Sequence, residues 1–236
     1  MRRGLLVLLL PALAVAGGEG NEGEKLYRGL EKRVGMTKMV HVAFASKLMK
    51  GDKEAGHFKG VVDLEGWDKS SVKVKGEVQG KAITLEMTAD GKKLKVVATP
   101  PGGEKEEPLP KNFGAMVRTA LSRVGPTAGL LISHPKAEGK DEPDFDKVLR
   151  ISDFKLGPNA KVEGREARTI EYKVTPAGRP EPVTLELWLD AKTHLPLKRE
   201  LSDEKNGVRI VETYSEFKLG QKGGELEPLK PSTGAK

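Results

Sequence analysis

The chain has 236 residues, no cysteine and a formal net charge of +7 from 41 basic and 34 acidic side chains. The missing cysteines exclude a disulfide framework and lipid attachment at a cysteine, and a chain of this length buries a core without such staples. Aromatic residues make up only 5% and the lysines are dispersed. The clustered cations and stacking rings of a nucleic-acid groove are therefore absent, and no nucleic-acid partner is expected.

Met1 to Ala16 reads as an export signal. Arg2 and Arg3 give a positive start, Leu5 to Leu10 an apolar run, and Ala14-Val15-Ala16 small residues where a signal peptidase cuts. The run is well short of the roughly 20 apolar residues that span a bilayer. The expected product is soluble and periplasmic. Gly17 to Gly23 follows as a flexible lead, and Glu24 to Val34 predicts a helix with Leu26, Tyr27, Leu30 and Val34 on one stripe.

From Lys38 the period becomes two, with Val40, Val42 and Phe44 on one face. Further strands are expected over His57–Glu65, Ser71–Val78, Ala82–Thr88 and Lys93–Ala98. Their connections, such as Ala89-Asp90-Gly91, are too short for a crossover helix, so this sheet must be antiparallel. Thr99 to Pro110 reads as a break rich in proline and charge. Lys111 to Arg123 predicts a second helix, capped by Asn112 and ended by Gly125-Pro126. Leu130-Leu131-Ile132 is a short apolar run without a decisive period, and Ala137 to Asp144 is a polar loop.

A short helical turn and a strand over Val148–Leu156 come next, then strands Ala160–Thr175, Val183–Leu189, Pro196–Leu201 and Val208–Leu219. Asn206-Gly207 marks a hairpin. Gly220 to Lys236 reads as a disordered tail. The sum is roughly nine or ten strands and two helices, a meander long enough to curl. The expected fold is α+β, mainly antiparallel β: one domain over 24–219, a curved incomplete β-barrel with helices covering its concave face.

No catalytic pattern emerges. His41, His57, His134 and His194 lie in separate elements without ligand spacing, so no metal or cofactor is expected. Ser70-Ser71-Val72-Lys73 matches an S-x-x-K string, but that chemistry needs a helix and here the string opens a strand. Gly76 to Lys81 is one residue short of a phosphate loop. Asp141, Asp144 and Asp146 lack the glycine of a calcium loop. The chain is read as a binding protein and not an enzyme.

Val183 to Leu201, VTLELWLDAKTHLPLKREL, and the strand ending in Tyr214-Ser215-Glu216-Phe217 carry a family pattern. With Val162 to Val174 before them, they resemble the C-terminal part of the LolA/LolB-like periplasmic outer-membrane lipoprotein carriers, whose fold recurs in envelope-stress regulators. The order helix, sheet, inserted helix, sheet is similar too. The resemblance implies a half-barrel with a helical lid over a hydrophobic cavity for acyl chains. No single residue matches the carriers' cavity arginine.

The residues expected to line such a cavity are Val40, Val42, Phe44, Phe58, Val62, Ile83, Leu85 and Met87. They equally suit plain packing against the helices, and a filled interior would rest on Leu26, Leu30, Phe113, Val117 and Leu121. The functional expectation is a monomeric lipid- or lipoprotein-binding carrier with transient membrane contact. The alternative is a structural or sensory envelope module that binds another protein through its sheet surface.

Overall fold

A computed structural model describes residues 21–100, 102–131 and 148–220. The expected signal sequence, most of the expected lead, the 137–144 loop, His134 and the tail after Gly220 lie outside the described residues. Helix α1 spans Glu22–Met36 and is capped by the Asn21 side chain, which accepts from the Glu24 amide. Strands β1 (Met39–Lys50), β2 (Lys53–Glu65), β3 (Lys69–Val78), β4 (Lys81–Asp90), β5 (Lys93–Thr99) and β6 (Glu104–Pro108) follow as successive hairpins. Helices α2 (Phe113–Arg123) and α3 (Pro126–Leu131) come next. Strands β7 (Leu149–Leu156), β8 (Ala160–Val162), β9 (Arg165–Pro176), β10 (Val183–Asp190), β11 (Pro196–Asp203) and β12 (Val208–Gly220) complete the chain.

The strands form one antiparallel sheet of twelve, in the order β6-β5-β4-β3-β2-β1-β12-β11-β10-β9-β7, with β8 on β9. It does not close: β6 and β7 are its edges. Buried side chains from β2 and β3 (Phe58, Val72, Val74) share one core with Ile170, Tyr172 and Leu185 of β9 and β10 and with Tyr27 and Leu30 of α1. Only a bent sheet lets one layer of helices reach strands from both halves. This is the curved, incomplete barrel with helices on its inner face that the sequence implied.

Two glycines favour the bend. Gly60 pairs with Phe44, and Gly76 with Phe58. A Cβ at either position would overlap the aromatic ring of its partner and nearby backbone. Without that Cβ the rings lie across the strands, as aromatic cover over glycine does in strongly curved sheets.

Four expectations are corrected. The 99–110 break contains β6, an edge strand of charged residues that pairs only with β5. The expected strand Ala160–Thr175 is two strands, because Glu163 and Gly164 turn through positive φ. Gly125-Pro126 ends α2 but also starts a third helix, α3. Asn112 occupies the cap of α2, yet its side chain makes no capping bond, its backbone being at φ −100°, ψ 11°. The strand and helix totals rise accordingly.

Candidate functional site

The inner face carries an unexpected pair of charges. Arg199 of β11 and Glu212 of β12 are each 1% exposed and stand directly opposite each other. They continue an inner row that runs from Leu187 through Arg199, Glu212 and Ser46 to Phe58. In sequence each sits in the apolar phase of its strand, Arg199 between Leu197 and Leu201 and Glu212 between Ile210 and Tyr214. That phase error was the available signal.

Both charges are spent on helix ends. Arg199 donates to the carbonyls of Leu121 and Ser122, each at 3.0 Å, at the C-terminal end of α2. A cation suits that end of a helix dipole. Glu212 accepts from the Thr127 amide at 2.6 Å, in the first turn of α3, and from the Tyr214 hydroxyl at 2.6 Å. Thr127 Oγ1 reaches Ser46 Oγ at 2.9 Å. The turn between the helices passes over the pair at Gly125, where φ is +87° and a Cβ would overlap Glu212, Arg199 and Tyr214. Only glycine fits there.

Burial pushes the Glu212 carboxyl above its ordinary range, and Arg199 opposes that shift. Burial works against the Arg199 charge, but Tyr214, Tyr172 and Glu212 outweigh it and hold its pKa above the usual value. Tyr172 donates to the Arg123 carbonyl at 2.7 Å, and burial raises its hydroxyl to about 12.

Two more buried arginines tie the helices. Arg123 of α2 bonds Glu31 of α1 at 2.8 Å and the Leu149 carbonyl at 2.8 Å. Arg118 donates to the Val34 and Lys38 carbonyls at the end of α1 and to Gly66 in the β2–β3 turn, and stacks on Trp67 at 4.6 Å. Arg33 of α1 in turn donates to the Thr193 and His194 carbonyls in the β10–β11 turn.

On its other side α2 has a different footing. Phe113, Met116, Val117, Ala120 and Leu121 face Val62, Val72 and Met87 of β2–β4 across an apolar gap of about 50 Å³, with Pro126 and Gly129 at its end. The eight residues expected to line a cavity fall on this half of the sheet. Val40, Val42, Phe44, Phe58 and Val62 are buried in the main core, Leu85 and Met87 are half-buried against it, and Ile83 is half-buried. Of the residues named as possible fillers, Leu30, Phe113 and Leu121 are buried, while Leu26 and Val117 are partly so. Of the eight, Val62 and Met87 line the gap, while Val40, Val42, Phe44 and Phe58 belong to the main core that also includes Leu121.

The remaining motifs are dispersed. Ser70 points inward, 7% exposed, with Lys73 three residues on and exposed on the opposite face. His41 lies outside between Asp63 (2.7 Å) and Glu216 (3.5 Å), and His57 pairs with Glu54 at 3.3 Å. His194 sits at φ +53°, its pKa lowered by burial and by Arg33 and Arg168. Among the described residues no three His, Cys, Asp or Glu side chains converge as metal ligands.

No family model and no curated protein matches the chain. Solved structures are similar to it in shape at low identity. Lipoprotein LppX of Mycobacterium tuberculosis is 12% identical, covering 86% of this chain and 99% of that one, with a TM-score of 0.44. MucB is 17% identical over 87% of this chain, with a TM-score of 0.42, and the match spans 62% of MucB's own length. A LolA superfamily protein from Nitrosomonas europaea is 13% identical, over 84% and 93% of the two chains, with a TM-score of 0.31.

Proposed function

We propose that the chain is a non-catalytic, periplasmic carrier-like protein that binds an acyl-bearing ligand, a lipid or lipoprotein, between α2–α3 and strands β2–β4. The observation that carries this reading is the unequal footing of α2. One flank is held by buried hydrogen bonds from Arg199, Tyr172 and Arg123. The other meets Val62, Val72 and Met87 across an apolar gap.

Ligand pockets usually enclose about 300–1,000 Å³, so a gap of about 50 Å³ is a closed state on this reading. With Arg118 on Gly66 and Trp67 kept as the fixed point at the β2–β3 turn, widening the rest of the gap costs apolar contact, which an alkyl chain replaces methylene for methylene at about 0.8 kcal/mol each. Val62, Val72 and Met87 then meet the chain, with Leu85 and Ile83 extending the path. The periplasmic address rests on the first sixteen residues and their signal pattern.

The test is native mass spectrometry with lipid extraction of the purified protein, alongside uptake of a fluorescent fatty acid. Bound lipid and saturable uptake are expected, and Val117→Trp, which fills the gap from α2, should abolish uptake while leaving the circular dichroism spectrum unchanged. Neither lipid nor uptake in the unmutated protein would overturn the reading, as would undiminished uptake in folded Val117→Trp.

A further inference from the structure

The outer face of the sheet carries a row with no carboxylate in it. Lys198 of β11, Thr213 of β12, Ala45 of β1, Lys59 of β2 and Lys75 of β3 are successive cross-strand neighbours. Lys59 and Lys75 are exposed and directly opposite each other, an arrangement that like charges disfavour. Neither makes an ion pair among the described residues. Lys198 lies over the Trp188 ring at 4.0 Å and beside Glu200 at 3.4 Å.

Between these cations the sheet surface dips. Ala45 and Thr213 are short, and with Val211, Lys47, His57 and Lys59 they line a groove of about 300 Å³ on the outside of β12, β1 and β2. Glu200 and Glu77 stand in the adjoining row, Glu200 engaged by Lys198 and Arg209 and Glu77 facing His57 across the strands, and Glu54, which also lines the groove, is engaged by Lys47 and His57. Ala45, Thr213 and Val211 give the trough a short, largely apolar floor; Lys59 stands on one bank and Lys47 and His57, both beside Glu54, on the other, while Lys75 and Lys198 flank it along the row.

We propose that this groove docks an acidic, extended peptide segment of a partner protein, with short apolar side chains on the floor and carboxylates toward Lys59, Lys75 and Lys198. The shape favours a narrow chain over a membrane. A bilayer is broad and needs protruding anchors, and the large exposed apolar side chains among the described residues (Met36, Trp67 and Leu156) lie on none of these rows. Recognition would be steered by charge and weakened by salt. The site is on the face opposite the proposed lipid gap and does not depend on that function.

Fluorescence anisotropy with a labelled peptide of alternating glutamate and valine tests this, with anionic vesicles as the competing surface. The peptide should bind the unmutated protein at low salt. Lys59→Glu with Lys75→Glu should weaken it about tenfold or more, as loss of close charge pairs does. Ala45→Leu, which fills the floor and leaves every charge in place, should weaken it as well. Lys32→Glu with Lys111→Glu makes the same change in net charge away from the groove and should leave affinity within about twofold. Thermal melts establish that each variant is folded. Absent peptide binding, equal loss in both lysine pairs, indifference to folded Ala45→Leu, or binding to vesicles alone would each overturn the proposal.

Discussion

The two halves of the sheet use the same alternation to different ends. In β10, Leu185, Leu187 and Leu189 are all at 0% exposure, and Ile170 and Tyr172 of β9 match them. In β4, Ile83, Leu85 and Met87 occupy the equivalent phase and are only half-buried. The helices explain the difference. Helix α1 lies against β7 and β9, where Tyr27 packs on Phe154 and Tyr172 with centroids 5.1 and 4.8 Å apart. Strand β4 is met instead by Phe113 of α2, in a small separate cluster with Ala89 and Leu94 that Met87 joins at its edge. A periodic strand states which face is inside but not how completely that face is covered, and the incompletely covered half is where a ligand can still gain by burial.

The contrast breaks first at the buried pair. Arg199→Met should cost about 3–5 kcal/mol, the usual loss when one member of a buried charge pair is removed, because Glu212 is stranded and two helix carbonyls lose their donor. Adding Glu212→Gln should recover part of that loss, and urea unfolding of the two variants measures both. Equal stability of the single and double variants would show that the two charges are not coupled.

The direct comparison of halves follows. Leu187→Ala should cost about 3 kcal/mol, as a fully buried leucine does, whereas Leu85→Ala should cost about 1 kcal/mol. Similar losses in urea would mean the halves are equally packed. Removing the Asn21 cap as Asn21→Ala should cost about 1 kcal/mol and also loosen the β7 edge, since that side chain donates to the Phe154 carbonyl at 2.5 Å.

The smallest effect is one of pH. Burial tends to raise the Asp190 carboxyl, but the Thr193 amide, Arg165 and the Lys192 amide overcome it and leave the pKa below 3.8. A depressed carboxylate contributes stability that is complete above its unfolded value and is lost as pH falls through the folded one. The melting temperature should therefore decline below about pH 4, with a shallower decline in Asp190→Asn. Parallel curves for the two proteins would mean that Asp190 contributes nothing to the acid limb.

Much of this was legible in the sequence. The β1–β5 and β9–β12 hairpins follow from period-two runs between glycine and asparagine turns, and α1 from its stripe ending at Val34. Strand β6 was hidden because Glu104 to Glu107 offers no apolar phase; it forms by pairing with β5, with Lys93–Glu106 and Lys95–Glu104 contacts at 2.5 and 2.7 Å. The arginine–glutamate clamp was hidden for another reason. Alternation marks Arg199 and Glu212 as out of phase, but only the register that sets β11 beside β12 shows that they stand opposite each other, and only the position of α2 and α3 shows what they hold. The outer lysine row likewise exists only once five strands are aligned.

The sheet order has one more consequence. Each half is a run of neighbouring hairpins, but the strands that join the halves, β1 and β12, come from opposite ends of the described chain, with Val40 beside Leu219. Local hairpins close quickly, whereas a pairing across the whole chain must await the loss of that much freedom. The β1–β12 seam is thus the natural late step of folding. The inner row crosses it between Glu212 and Ser46, so the surface on which α2 and α3 rest is complete once the two ends of the chain have met.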